Sequence, residues 1–193
     1  MKRVQVVEYD PEWPGIFEQI RSYVWPAVSE TALTIEHVGS TAVPGLKAKP
    51  VIDACIVVAS RADLPACIER LASIGYVHRG NLGVPDREAF RRPDHLPRHH
   101  LYLSPRDSLS LRNHLGFRDY LRSNPEAARA YGELKAALAR RYPADIDSYI
   151  VGKTDFVLRI LGKIGLSSDE LAEIRRINQM DNLVRPDPGE KPS

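Results

Sequence analysis

Residues 36–58 read EHVGSTAVPGLKAKPVIDACIVV. The stretch sets a Gly-Ser turn after one apolar strand and a single acid, Asp53, inside the next. Val51–Val58 is an almost uninterrupted apolar run with β-branched residues, the pattern of a strand covered on both faces. Gly39 permits a bend that a side chain would block, and Ser40 adds a hydroxyl beside the freed backbone amides. Such a turn can lay amides against a phosphate, and a carboxylate on the adjoining strand can hold a divalent cation that the phosphate also ligates. An isolated carboxylate in an apolar layer finds a cation or hydrogen bonds, or takes up a proton. Asp53 therefore has a partner: a metal, Lys49, or an Arg or His from a neighbouring strand. The plainer alternatives are an ordinary turn and an Asp satisfied by Lys or backbone amides.

Before the turn, Val4–Tyr9 reads as a short strand, Asp10-Pro11-Glu12 as a helix start, and Phe17, Ile20 and Val24 as one helical face that Pro26 ends or kinks. Leu33–Val38 is the strand that enters the turn. After it come a helix over Asp63–Ile74 stopped by Gly75, a strand at Tyr76–Arg79 and a short one at Glu88–Arg91. HHLYLS at 99–104 alternates, so His100 and Tyr102 share one face and His99 the other, and alternation does not say which face meets the turn. His100 is the preferred one of the two. Beyond Pro105 the pattern is helical. One helix covers 108–122, and Asn124-Pro125 opens another with Ala127, Tyr131, Leu134 and Leu138 as its stripe. A third runs from Asp145 to Lys163, and Ser167–Glu170 is a capping box for a fourth. The expected organisation is a mixed α/β core over 1–105, a helical region over 106–182 and a disordered Pro-rich tail over 183–193.

A chain of 193 residues suits one domain or a core with a helical annex. Lys and Arg exceed Asp and Glu by 27 to 25, so there is no polycation to bind nucleic acid by counterion release, and any anion site must be local. The opening MKRVQVVEYDPEW lacks the apolar core of a signal peptide, and no run is long enough to span a membrane. A cytoplasmic protein without a membrane partner is expected. Cys55 and Cys67, without CxxC spacing, read as free thiols. Among the basic residues, Arg87 and Arg91 flank a candidate strand and can fork onto phosphate oxygens. Lys153 interrupts the apolar stripe of its helix, where a lysine either snorkels to water or reaches an anion.

EHVGSTAVPGLKAKPVID, the segment at 85–92, HHLYL at 99–103, FRDYLRSNPEAARAYGELKAALA at 117–139 and KTDFV at 153–157 together resemble the GrpB family, over about residues 4–165. The resemblance implies an α+β fold, a polymerase-β-like nucleotidyltransferase core followed by a C-terminal helical bundle. Similar domains also occur fused to dephospho-coenzyme A kinases. The nucleotidyltransferase pattern has Gly-Ser, then Asp-x-Asp or Asp-x-Glu, then a third acid on a later strand. Gly39, Ser40 and Asp53 match it, but Cys55 stands at the second acid and HHLYL has none. Two-metal transfer needs carboxylates that clamp cations about 4 Å apart. Two readings follow. One is a nucleotidyltransferase dependent on Mg2+ or Mn2+. In it Gly39, Ser40, Thr41 and Lys49 hold phosphates, and Asp53 and His100 are catalytic. Asp53 and Glu36 hold the cation, and Arg87, Arg91 and Lys153 neutralise charge. The other is a degenerate module that binds a nucleotide or other phosphorylated small molecule without turnover, with a protein partner on the helical half.

Overall fold

The apolar runs resolve into five strands in a computed structural model that describes residues 3–180. They are β1 (Ala32–Val38), β2 (Ile52–Val58), β3 (Val77–His78), β4 (Glu88–Arg91) and β5 (His99–Pro105), in spatial order β1-β2-β5-β4-β3. β2 and β5 run parallel at the centre, and every other pairing is antiparallel. These two are also the most apolar strands, because both of their faces are covered. The register sets Asp53 beside Val38 on one side and His100 on the other. The end of β1, the acid and the histidine thus form one row across three strands.

On one face, α1 (Trp13–Val28) and α2 (Leu64–Ser73) bury Ile20, Val24 and Leu71 against Ile35, Ile52, Ile56 and Leu101. The other face carries Val38, Cys55, Val57 and Tyr102, which pack with Leu111 of α3 (Leu109–Ser123). α4 (Pro125–Arg141), α5 (Ile146–Lys163) and α6 (Ser168–Met180) complete the helical part. Leu121, Tyr131 and Ile160 join it to Val43 and Leu46 of the segment after the turn. This contact closes the helices over the row that contains Asp53. No helix among the described residues is long and apolar enough to cross a membrane.

Three expectations are corrected. Val4–Tyr9 forms a single antiparallel bridge, Val7 to Ala48, because the Val4 N–H goes instead to the Pro143 carbonyl and no ladder develops. Pro26 lies within α1, which continues to a fully buried Val28. The inner face of α4 is centred on Ala128, Tyr131, Gly132, Lys135 and Ala139. Ala127 and Leu134 fall to its flank, since small residues let the helix approach its neighbours closely: a Cβ on Gly132 would sit 3.4 Å from Leu46. The proposed tail at 183–193 lies outside the described residues.

Candidate functional site

Gly39 adopts φ 71° and ψ −170°, a region that is essentially closed to other residues. A Cβ there would run into the Asp53 side chain, with Cγ only 3.0 Å away. The bend and the acid are therefore in direct apposition. Ser40–Ala42 then makes one turn of 3-10 helix, and the Thr41 hydroxyl, buried, is 3.0 Å from His37 Nε2. From the other side, His100 Nδ1 lies 2.8 Å from Asp53 Oδ1. An ionised carboxylate only accepts, so Nδ1 carries the proton and donates, which leaves Nε2 as the basic nitrogen. Burial pushes the Asp53 carboxyl up, but the His100 hydrogen bond and the charges of His100, His114 and Lys49 outweigh it, and the net shift is downward. Asp53 is thus anionic at neutral pH.

Above this pair lies a cavity of about 240 Å³. Asp53 and His100 line it from the sheet, Ser40, Thr41 and Lys49 from the connection between β1 and β2, and Lys135, Tyr149 and Lys153 from α4 and α5. Lys135 is 2% exposed, and its Nζ has no hydrogen-bond partner. It sits 4.6 Å from the centre of the Tyr131 ring. Burial, reinforced by the Lys153 charge and opposed by Asp53, holds its pKa well below the ordinary lysine value. Lys153 is half-buried, with Nζ 4.8 Å from the Tyr149 ring centre. Three lysine side chains and one carboxylate thus share the lining of the cavity.

The remaining sequence candidates lie elsewhere. Glu36 does not join Asp53: Arg118 takes its carboxylate at 2.8 Å, and Thr34 Oγ1 donates to it at 3.3 Å. Arg87 lies 4.7 Å from the Tyr102 ring centre and lines a second cavity of about 210 Å³ with His114 and with Ile174 and Asn178 of α6. There Arg87 Nε and His114 Nδ1 are buried without partners. Arg91 is exposed on β4, opposite Val77 of the edge strand, away from the row. His99 faces α1 and α2, held by the Tyr76 hydroxyl at 2.8 Å and the Pro97 carbonyl at 2.7 Å. Among the described residues, no three His, Cys, Asp or Glu side chains come together as a metal site. A larger, shallow groove of about 900 Å³ between α5 and α6 is lined by Leu158, Gly162 and Leu171. Its Asp155 and Arg175 pair at 2.8 Å, and its Arg159 lies 5.6 Å from the Phe156 ring centre.

Sequence reading missed Lys135 and Tyr149. The available signal was spacing: Lys135 follows Tyr131 by four residues and so shares its face. Counting only apolar residues rotates the stripe away from it.

These features define an α+β protein with a lysine-lined cavity at the junction of a mixed sheet and a helical half. The GrpB protein family matches residues 3–163, and the chain belongs to that family. It is 39% identical over 165 residues to a UPF0157 protein of Pseudomonas aeruginosa, covering 83% of this chain and 67% of that one. A dephospho-CoA kinase of Mycolicibacterium paratuberculosis is 31% identical over 175 residues, 78% of this chain, and the chain spans only 43% of that relative. The crystal structure of the conserved protein GrpB from Enterococcus faecalis superposes with a TM-score of 0.73 at 34% identity, covering 88% of this chain and 98% of that one.

Proposed function

We propose that this GrpB-family chain binds a nucleotide or another phosphorylated small molecule, with a phosphate inside the lysine-lined cavity. The observation that carries this reading is Lys135. A buried amine with no partner costs roughly 1–3 kcal/mol, and an anion in the cavity is the partner it lacks. Lys49 and Lys153 add charge, and Ser40 offers a hydroxyl. A volume of about 240 Å³ lies below the usual range for whole drug-sized ligands. It holds a phosphate and the group attached to it, and the rest of a nucleotide projects outward. The Gly39-Ser40 bend against a strand-borne Asp53 is in keeping with a nucleotidyltransferase-type core, and the name of the dephospho-CoA kinase relative is in keeping with a nucleotide-related ligand.

Metal-dependent nucleotidyl transfer is the second reading, and the donor set fits it poorly. Asp53 stands alone, Glu36 is occupied by Arg118, and burial pushes the Cys55 thiol up to about 12. A resident pair of Mg2+ or Mn2+ ions lacks its carboxylates here, and the lysines supply positive charge in their stead. A role confined to protein interaction would leave the cost of Lys135 unexplained.

Thermal unfolding with pyrophosphate and nucleoside triphosphates, with and without Mg2+ or Mn2+, tests the reading. Saturating ligand at about a hundred times its Kd stabilises by about 2.7 kcal/mol. That gain is expected without added metal and is expected to vanish in Lys135→Met. No shift with any phosphorylated ligand would overturn the proposal, and pyrophosphate release that requires both metal and Asp53 would establish transfer instead.

A further inference from the structure

Three lysines line one cavity, but they are not equivalent. Lys49 and Lys153 are half-buried, whereas Lys135 is buried completely and its amine meets no acceptor. Lys49 and Lys153 carry charge toward a phosphate, and Lys135 adds a dry amine whose partner the ligand must supply. A dry, unpaired amine is what nucleophilic chemistry requires, since only the neutral form attacks a carbonyl carbon.

The structure assigns to Lys135 the capture of a carbonyl group: we propose that the cavity takes a phosphorylated aldehyde or ketone and holds it as a Schiff base on Lys135 Nζ. The proposal rests on the phosphate-binding reading above and narrows its ligand. The charged and titratable groups around Lys135 come from each element that walls the cavity. They are Tyr131 on its own helix, Lys153 and Tyr149 on α5, Lys49 before β2, Asp53 on β2, and His100 and Tyr102 on β5. Burial and Lys153 favour the neutral amine, Asp53 favours the ammonium, and the net shift is toward the neutral form. Among the cavity's other nucleophile types, the Thr41 hydroxyl is engaged with His37, the Ser40 hydroxyl cannot form an imine, and neither cysteine lines the space.

The step balances within the cavity. The Nζ lone pair attacks the carbonyl carbon, a C–N bond forms, and the π pair moves to oxygen, which takes up a proton as nitrogen loses one. The C–O bond of this carbinolamine then breaks. His100 Nε2 takes the remaining N–H proton and passes it to the oxygen, which leaves as water while the electron pair freed on nitrogen closes the C=N bond. One amine and one carbonyl give one imine and one water, with no oxidant or reductant. His100 suits the proton transfers because Nδ1–H is fixed on Asp53 and Nε2 is the nitrogen that exchanges.

Pyridoxal 5′-phosphate, a phosphorylated aldehyde, is the probe. The full chain is incubated with it near neutral pH, reduced with borohydride and digested, and labelled lysines are mapped by mass spectrometry. Pyridoxine 5′-phosphate, which has no aldehyde, is the parallel binding probe by thermal shift. Label is expected at Lys135 at least about tenfold faster than at exposed lysines, which remain protonated at this pH. Inorganic phosphate should slow it, and an imine absorbance band should be absent in Lys135→Met. The labelling map of the unaltered chain does not depend on the variant's folding. If pyridoxine 5′-phosphate stabilises the protein while label spreads over surface lysines and spares Lys135, the Schiff base is wrong and the anion site stands. If neither probe nor inorganic phosphate stabilises it and Lys135 is unlabelled, the anion site and the Schiff base both fall.

Discussion

Lys135 sets ligand chemistry against stability at a single position. Its amine is buried beside a second lysine and satisfies none of its donors. Methionine has nearly the same length, suits a site against the Tyr131 ring and has no polar atom to satisfy. Lys135→Met is therefore expected to raise unfolding stability by about 1–3 kcal/mol, read as a higher urea midpoint with an unchanged slope. A stabilised variant without ligand binding would be the mark of a residue kept for its chemistry. At this scale the sequence was readable where neighbours on adjacent strands meet. Gly39, Ser40, Asp53 and His100 converge because one strand register brings them together. Lys135 and the Glu36 partner were not readable, since each depends on a helix face docked from far along the chain. Arg118 is 82 residues from Glu36.

At the scale of elements, Arg118 fastens α3 to β1. Its guanidinium donates to Glu36 at 2.8 Å, to the His37 carbonyl at 3.0 Å and to Asp119 at 2.7 Å, and the residue is 9% exposed. Removing one partner of such a group leaves the other charge uncompensated, at about 3–5 kcal/mol. Arg118→Met should destabilise by that order in denaturant unfolding. Adding Glu36→Gln should recover part of the loss, because the stranded carboxylate is then gone. Most elements were legible from periodicity and punctuation: the β2 and β5 runs, the Gly75 stop with φ 89°, and the Ser167–Glu170 box with its reciprocal bonds at 2.8 and 3.3 Å. Val4–Tyr9 was misread because alternation reports a face to cover and not a partner strand. The N–H groups there are divided between Ala48 and Pro143.

For the whole molecule, the buried histidines set the response to acid. Burial pushes His37, His99 and His114 down from 6.5 to about 4. Between those values the unfolded chain binds protons that the folded chain refuses, so stability is full above about pH 6.5 and is lost as pH falls toward 4. The lowered Asp53 adds a further loss at still lower pH. Each histidine contributes up to about 3 kcal/mol by this linkage. Urea midpoints at pH 7.5 and 4.5 should differ accordingly, and His99→Gln should reduce the difference by that residue's share. The cavity was only half legible, because its lysines belong to both sides of residue 105 and nothing in either half announces the other. Tyr102 gives this arrangement a consequence of its own. It is a party wall: its ring borders the lysine chamber, carries Arg87 at 4.7 Å and neighbours His114 at 5.8 Å. The same ring therefore bounds one chamber and supports Arg87 in the other, whose far wall is α6.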